Sequence, residues 1–204
     1  MVGVMHAVIE SAWLSSNFPG QRECGDRHLV ESTPNGALIA VTDGLGHGDK
    51  AAEASEKAIE EVKRAAESDT PVVDIVRQCD AALRNTRGVA MALSAIDRQT
   101  ETLTWLGIGN VEGRLLSPTG DGTYSRQTLL MRSGVVGYSL PELRPDTTQL
   151  RRGDLLILAT DGIRPDFAAS IPLNQPIQEI CSFIMTRYTR EDDDALLVAV
   201  RYLG

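Results

Sequence analysis

Residues 41–58, VTDGLGHGDKAAEASEKA, decide the reading of the fold. An apolar run ends in Asp43, glycines follow at 44, 46 and 48, and an Ala/Glu/Lys segment then takes over. Ala51, Ala54 or Ser55, Ala58, Val62 and Ala65 recur at helical spacing, which predicts a helix from Asp49 to about Ser68. Asp43 therefore stands where a strand gives way to a glycine turn and a helix. Just upstream, Arg27 to Glu31 reads as extended. Pro34-Asn35-Gly36 is a turn signal before the apolar run Ala37 to Val41, so the two segments form a hairpin.

Working outward, the segment Val4 to Trp13 is mixed and apolar. On the other side a second helix is predicted, with Pro71 tolerated in its first turn and a stripe of Val72, Ile75, Val76, Cys79 and Leu83. Both helical stripes are expected to face a sheet. After RNTRG (84–88) the period changes. VAMALSAI (89–96), TLTWLGIGN (102–110), EGRLLS (112–117) and YSRQTLL (124–130), separated by turns, read as a run of antiparallel strands. Residues 131–154, with Pro141 and Pro145, read as irregular. LLILATDG (155–162) then repeats the form of the opening motif, short helices are expected at about 164–169 and 176–188, and ALLVAVRYL (195–203) closes as a strand.

A chain of 204 residues with 42% apolar content supports one substantial core, so a single domain over residues 1–204 is expected. Twenty Lys and Arg against 28 Asp and Glu give a formal charge of -8, which disfavours nucleic acid and anionic membrane as partners. No basic segment precedes the first apolar run, and no stretch approaches the roughly 18 apolar residues of a span, so a soluble cytoplasmic protein is expected. Cys24, Cys79 and Cys181 are widely spaced and read as buried thiols.

The chemistry lies in carboxylates at strand ends: Asp26 after Cys24-Gly25, Asp43 before Gly44, Asp161 before Gly162, and Asp192-Asp193-Asp194 before the last strand. If those strands are neighbours in one sheet, the carboxylates converge at one edge, an arrangement that calls for cations. Oxygen-only ligands favour Mg²⁺ or Mn²⁺ over zinc. Glycine after each aspartate lets the backbone turn sharply and bring a carbonyl to a metal. Taken singly, an Asp-Gly is usually a turn and an acidic triplet a solvated loop; the joint pattern is what points to a site. Two other readings stand beside it. The glycines could form a nucleotide-binding turn, but their spacing is G-x-G-x-G rather than G-x-G-x-x-G and no G-x-x-x-x-G-K-[ST] loop is present. A catalytically silent scaffold that binds a partner is the other.

In order and spacing, CGD (24–26), VTDGLGHG (41–48), GIGN (107–110), LATDGI (158–163) and DDALLVAV (193–200) resemble the metal-dependent protein serine/threonine phosphatases (the PPM superfamily). Within it the likeness is to the SpoIIE-like branch and its RsbX-type stressosome phosphatases, with Arg87-Gly88 as a further matching segment. The resemblance implies an α+β fold, an α-β-β-α sandwich of two mainly antiparallel sheets flanked by helices, with two Mn²⁺ or Mg²⁺ ions at one end. It implies that Asp43 bridges the ions, that Gly44 offers its carbonyl, that Asp161 and Asp193 complete the set, and that Asp26 lies close by and orients the attacking water. Asp192 or Asp194 remains an alternative to Asp193. The implied reaction is in-line attack of water on a phosphoserine or phosphothreonine, without a phosphoenzyme. Implied partners are phosphorylated STAS-domain proteins of a stressosome, with an anti-anti-sigma factor as the alternative substrate, and a monomer is expected. The chain departs from the pattern at Leu45, where many relatives carry histidine; His47, two residues on, reads as a polar turn residue, with a phosphate-binding or proton-transfer role as the alternative. It departs again at Val89-Ala90-Met91, where small hydroxyl residues are common.

Overall fold

A computed structural model describes residues 4–5, 8–18, 20–21 and 23–204. One sheet has the order β1 (Val4–Met5), β2 (Ile9–Ser16), β12 (Ala195–Tyr202), β11 (Leu155–Ala159), β7 (Glu112–Pro118) and β8 (Tyr124–Thr128). The other runs β10 (Asp146–Gln149), β6 (Thr102–Ile108), β5 (Val89–Asp97), β4 (Gly36–Gly44) and β3 (Asp26–Thr33), with β9 (Met131–Arg132) beside β6. Every pairing between these strands is antiparallel except β6 with β9. The anticipated hairpin is β3–β4, closing with Thr33 opposite Gly36.

The apolar runs are unbroken because their strands are buried on both faces. Along β4, Ile39 and Val41 enter the core between the sheets while Leu38 and Ala40 face the helices. Along β12, Leu196, Val198 and Val200 point to the inter-sheet core, and Leu197 and Ala199 point outward. Helices α1 (Asp49–Ala66) and α2 (Val72–Leu83) cover the sheet that holds β4, through Ala54, Ala58, Val62, Ile75 and Cys79. Helix α3 (Ile177–Tyr188) covers the other sheet through Ile180 and Ile184. The result is the expected α-β-β-α sandwich. Alanine on the buried face of α1 lets the helix axis approach the sheet closely, and Asp49 in its first turn with Lys63 and Arg64 in its last complement the helix dipole.

Three expectations change. The carboxylate-bearing strands do not share one sheet: Asp26 and Asp43 lie on β3 and β4, while Asp161 and Asp193 flank β11 and β12 in the facing sheet. Residues 131–154 are not wholly irregular, because β10 pairs with β6; its four residues, exposed save for the half-buried Thr148, are held by backbone bonds and carry no apolar alternation. The first short helix is a 3₁₀ turn, Pro165–Ala169. Of the N-terminal segment 4–13, residues 6 and 7 lie outside the described residues. All three cysteines are free and buried. Among the described residues no helix is long and apolar enough to cross a membrane.

Candidate active site

At one end of the sandwich, strand ends from both sheets meet. The register sets Asp26, first residue of β3, opposite Asp43 near the end of β4. Asp161 follows β11, the acidic triplet leads into β12, and Asn110 lies in the crossing from β6 to β7, which belong to different sheets. Together Asp43, Asn110, Asp161, Asp192 and Asp193 line a cleft of about 330 Å³, with Phe18, Leu45, Gly46 and His47 at its sides. The rings of Phe18 and His47 stack with centroids 6.0 Å apart. A hollow of about 350 Å³ at the turn between α1 and α2 and another of about 520 Å³ beside β8 gather no comparable cluster of carboxylates.

Gly46 and Gly48 adopt positive φ, 87° and 75°, so the turn into α1 requires glycine there. Gly44 and Gly162 are glycines for another reason. A Cβ on Gly44 would lie 2.1 Å from the carbonyl oxygen of Ala51, and one on Gly162 would lie 1.9 Å from that of Asp194. Close approach of backbone, not a left-handed turn, fixes both positions.

The carboxylates are crowded. Asp43 is pushed up to about 7, first by burial and then by Asp161 and Asp193, with Asn110 opposing the shift. Asp26 is pushed up to about 8, by burial and then by Asp43, against the hydrogen bond it accepts from Thr160. Asp193 is also raised, by burial and then Asp161. The Asn110 amide donates to Asp161 Oδ2 at 2.5 Å.

The structure brings Asp43, Asp161 and Asp193 to the cleft and sets Asp26 and Gly44 behind it. Asp26 is 5% exposed, and its Oδ2 accepts from Thr160 Oγ1 at 2.7 Å. The triplet divides: Asp192 and Asp193 line the cleft, whereas Asp194 turns inward and accepts from the backbone N–H groups of Phe18 and Gly25, both at 2.7 Å. Asn110 was not anticipated as a site residue, although the GIGN segment that carries it was singled out.

Cations fit this donor set. It is all oxygen and strongly acidic, so it suits a hard divalent ion rather than a soft one. Among the described residues no three His, Cys, Asp or Glu side chains close on one point as a ready-made cage. That is compatible with an ion such as Mg²⁺, which keeps several waters and takes few protein ligands.

Residues 33–203 match the Stage II sporulation protein E (SpoIIE) family. Phosphoserine phosphatase RsbX of Bacillus subtilis (strain 168) is 29% identical over 179 residues, covering 87% of each chain. The crystal structure of RsbX in complex with magnesium superposes with a TM-score of 0.85 at 25% identity, over 98% of both chains. A chain solved in work on the bacterial stressosome, a modular system adapted to control secondary messenger signaling, reaches 0.83 at 30% identity, over 95% of this chain and 99% of its own. The two-sheet architecture, the cleft at its end and the match over most of the chain lead to one assignment: this protein belongs to the SpoIIE family of PPM-type protein phosphatases.

Proposed function

We propose that the cleft hydrolyses phosphoserine or phosphothreonine on phosphorylated STAS-domain proteins of a stressosome, resetting a stress signal. The observation that carries this is the convergence of Asp43, Asp161, Asp192 and Asp193, drawn from both sheets, on one open cleft. RsbX, by its name, acts on phosphoserine, and the similar chain from the stressosome work supports the choice of partner. The reading places the chain in the cytoplasm as a monomer, with residues 1–204 forming one domain.

Asp43, Asp161 and Asp193, with the Gly44 carbonyl, would hold two Mn²⁺ or Mg²⁺ ions. When bound, such ions neutralise phosphate charge and acidify the attacking water. The chain's own residues do the positioning. The Asn110 amide fixes the rotamer of Asp161. Thr160 holds Asp26 from one side while accepting from Leu196 N at 2.9 Å, which fixes the buried carboxylate behind Asp43. Asp26 is thus a positioning residue for the water that attacks phosphorus as the serine oxygen leaves. Asp194 pins the segments around Phe18 and Gly25 against the start of β12 and so shapes the wall of the cleft. Asp193, at the cleft, fits the ligand role better than Asp194, whose carboxylate is occupied by backbone donors.

The test is phosphate release from a phosphorylated STAS-domain protein by the wild type and by Asp43→Asn, with and without Mn²⁺. Release that depends on the ion and is lost in the variant is the expected result. Calorimetric Mn²⁺ binding with no release from any phosphoprotein would favour the silent scaffold instead.

A further inference from the structure

Beside the acidic cleft lies a small basic hollow. It encloses about 300 Å³ and is lined by Lys50, Glu53, Asn85, Thr86 and Arg87. Arg87 borders the cleft directly: its Nη1 is 3.5 Å from the carbonyl of Leu45, and a Cβ on Gly46 would come within 2.7 Å of it. Leu45 and Gly46 are themselves cleft residues.

The backbone that presents Arg87 is fixed. Leu45 N donates to Gly88 O at 3.1 Å, and Val89 and Val136 exchange backbone hydrogen bonds at 3.0 Å each. Gly88 has φ of 78°, and a Cβ there would lie 2.6 Å from Val135 Cγ1. The guanidinium therefore projects from a segment tied on one side to the cleft rim and on the other to the loop after β9.

Its charge is unspent. Among the described residues, ion pairs engage Arg27, Arg64, Arg77, Arg114, Arg144, Arg164 and Arg201, but neither Arg87 nor Lys50. Glu53, the one carboxylate lining the hollow, pairs with Lys57 at 2.8 Å. A chain of formal charge -8 thus keeps Arg87 outside any ion pair at the rim of its cluster of carboxylates, with Lys50 in the same hollow acting on Glu53 through its field alone. Towards Asp192 and Asp193 a second negative charge on a substrate meets carboxylates. On this side it meets a cation.

We infer that Arg87 and Lys50 recognise an acidic side chain flanking the scissile phosphoserine, and so select and orient the phosphoprotein segment. The inference rests on the phosphatase reading above. Arg offers a planar fork for a carboxylate and Lys a mobile point charge, so together they suit Asp or Glu at more than one distance from the phosphoserine.

The experiment compares two synthetic phosphoserine peptides that differ only in carrying acidic or lysine residues beside the phosphoserine, read as kcat/KM with Mn²⁺ at low salt. The wild type is expected to favour the acidic peptide by about tenfold, a preference that shrinks as salt screens the contact. Lys50→Glu/Arg87→Glu is expected to invert it, and Arg87→Lys to keep most of it. The ratio is insensitive to the fraction of protein folded, because both peptides report on the same active molecules. Equal turnover of the two peptides by the wild type overturns the inference and leaves the phosphatase reading intact. An equal loss on both peptides in the double variant also overturns it, since Arg87 would then serve the phosphate or the fold. Turnover of neither peptide overturns the inference, and phosphate release from the phosphorylated STAS-domain protein by the same preparation decides separately whether the phosphatase reading stands.

Discussion

The tripeptide Thr-Asp-Gly occurs twice, at 42–44 as the end of β4 and at 160–162 just after β11, and the two copies are built differently. Both threonines are fully buried, both aspartates reach the cleft, and both glycines back onto a carbonyl oxygen. In the first copy that carbonyl belongs to Ala51, in the first turn of the helix that follows. In the second it belongs to Asp194, across the sheet at the entry to β12. Thr42 donates a long hydrogen bond, 3.3 Å, to the carbonyl of Arg27 in its own sheet. Thr160 donates to Asp26 at 2.7 Å and thereby links the two sheets. The first corner is a local strand-to-helix device, and the second is a joint between sheets. Equal sequence marks the aspartate and the glycine as equivalent, but not the threonine.

The largest effects should treat the two corners alike. Asp43→Asn and Asp161→Asn are each expected to reduce phosphoprotein kcat/KM by about a thousandfold or more, because each removes part of a charge-stabilising centre worth several kcal/mol. Steady-state kinetics at saturating Mn²⁺ checks this, and full activity in either variant would break the equivalence. Without cations the sign reverses for stability at Asp43. A carboxyl raised to about 7 in the folded state stays protonated there while the unfolded chain ionises above about 4, so stability falls as pH climbs through that window and the full cost is present above about 7. Metal-free Asp43→Asn should therefore melt above the metal-free wild type at pH 8, by a margin that narrows as pH falls towards the unfolded value.

Next in size are the glycines. Gly44→Ala and Gly162→Ala both drive a methyl into backbone, and about 3 kcal/mol or more of destabilisation is expected for each. The loss should be greater at Gly162, because its obstacle lies beside the paired strands β11 and β12, whereas the N-terminus of α1 can shift outward. Urea titration of the pair checks the order; a milder effect at Gly162 would show that the joint is the softer of the two.

Much of this was legible in the sequence, for physical reasons that also mark where legibility ends. Runs such as ALIAV and ALLVAV are apolar at every position because both faces of their strands are covered, and the helical stripes follow from one covered face. A run that is apolar throughout does not reveal which sheet it joins, so the expectation of one sheet edge gave way to two facing sheets. Strand β10 was missed because its pairing with β6 is made by backbone groups that leave no mark on Asp146-Thr147-Thr148-Gln149. Asp193 and Asp194 are chemically identical neighbours. Their separate placements depend on the N–H groups of Phe18 and Gly25, 176 and 169 residues from Asp194 in sequence. Asn110 read as the polar end of a strand, and it is the approach of Asp161, 51 residues on, and of Asp43 from the other sheet that gives its amide partners.

The smallest effects should separate the threonines. Thr42→Val removes a long hydrogen bond to a carbonyl and is expected to cost less than about 1 kcal/mol. Thr160→Val removes the donor to a buried carboxyl and leaves Leu196 N without its side-chain acceptor, so it should cost more, by an amount that depends on pH. Asp26 is raised to about 8 in the fold, and the Thr160 hydrogen bond restrains that rise. The carboxyl is protonated in the folded protein below about 8 and ionised in the unfolded chain above about 4, so its contribution to stability falls as pH climbs through that window. Without Thr160 the folded value rises further and the decline continues to higher pH. The Thr160→Val penalty, measured without divalent cations, should thus grow from about 1 kcal/mol at pH 6 to about 2 kcal/mol at pH 9, as the bond lost changes from neutral to charged. A penalty independent of pH would mean that Thr160 serves β12 through Leu196 alone, and that the second corner is as local as the first.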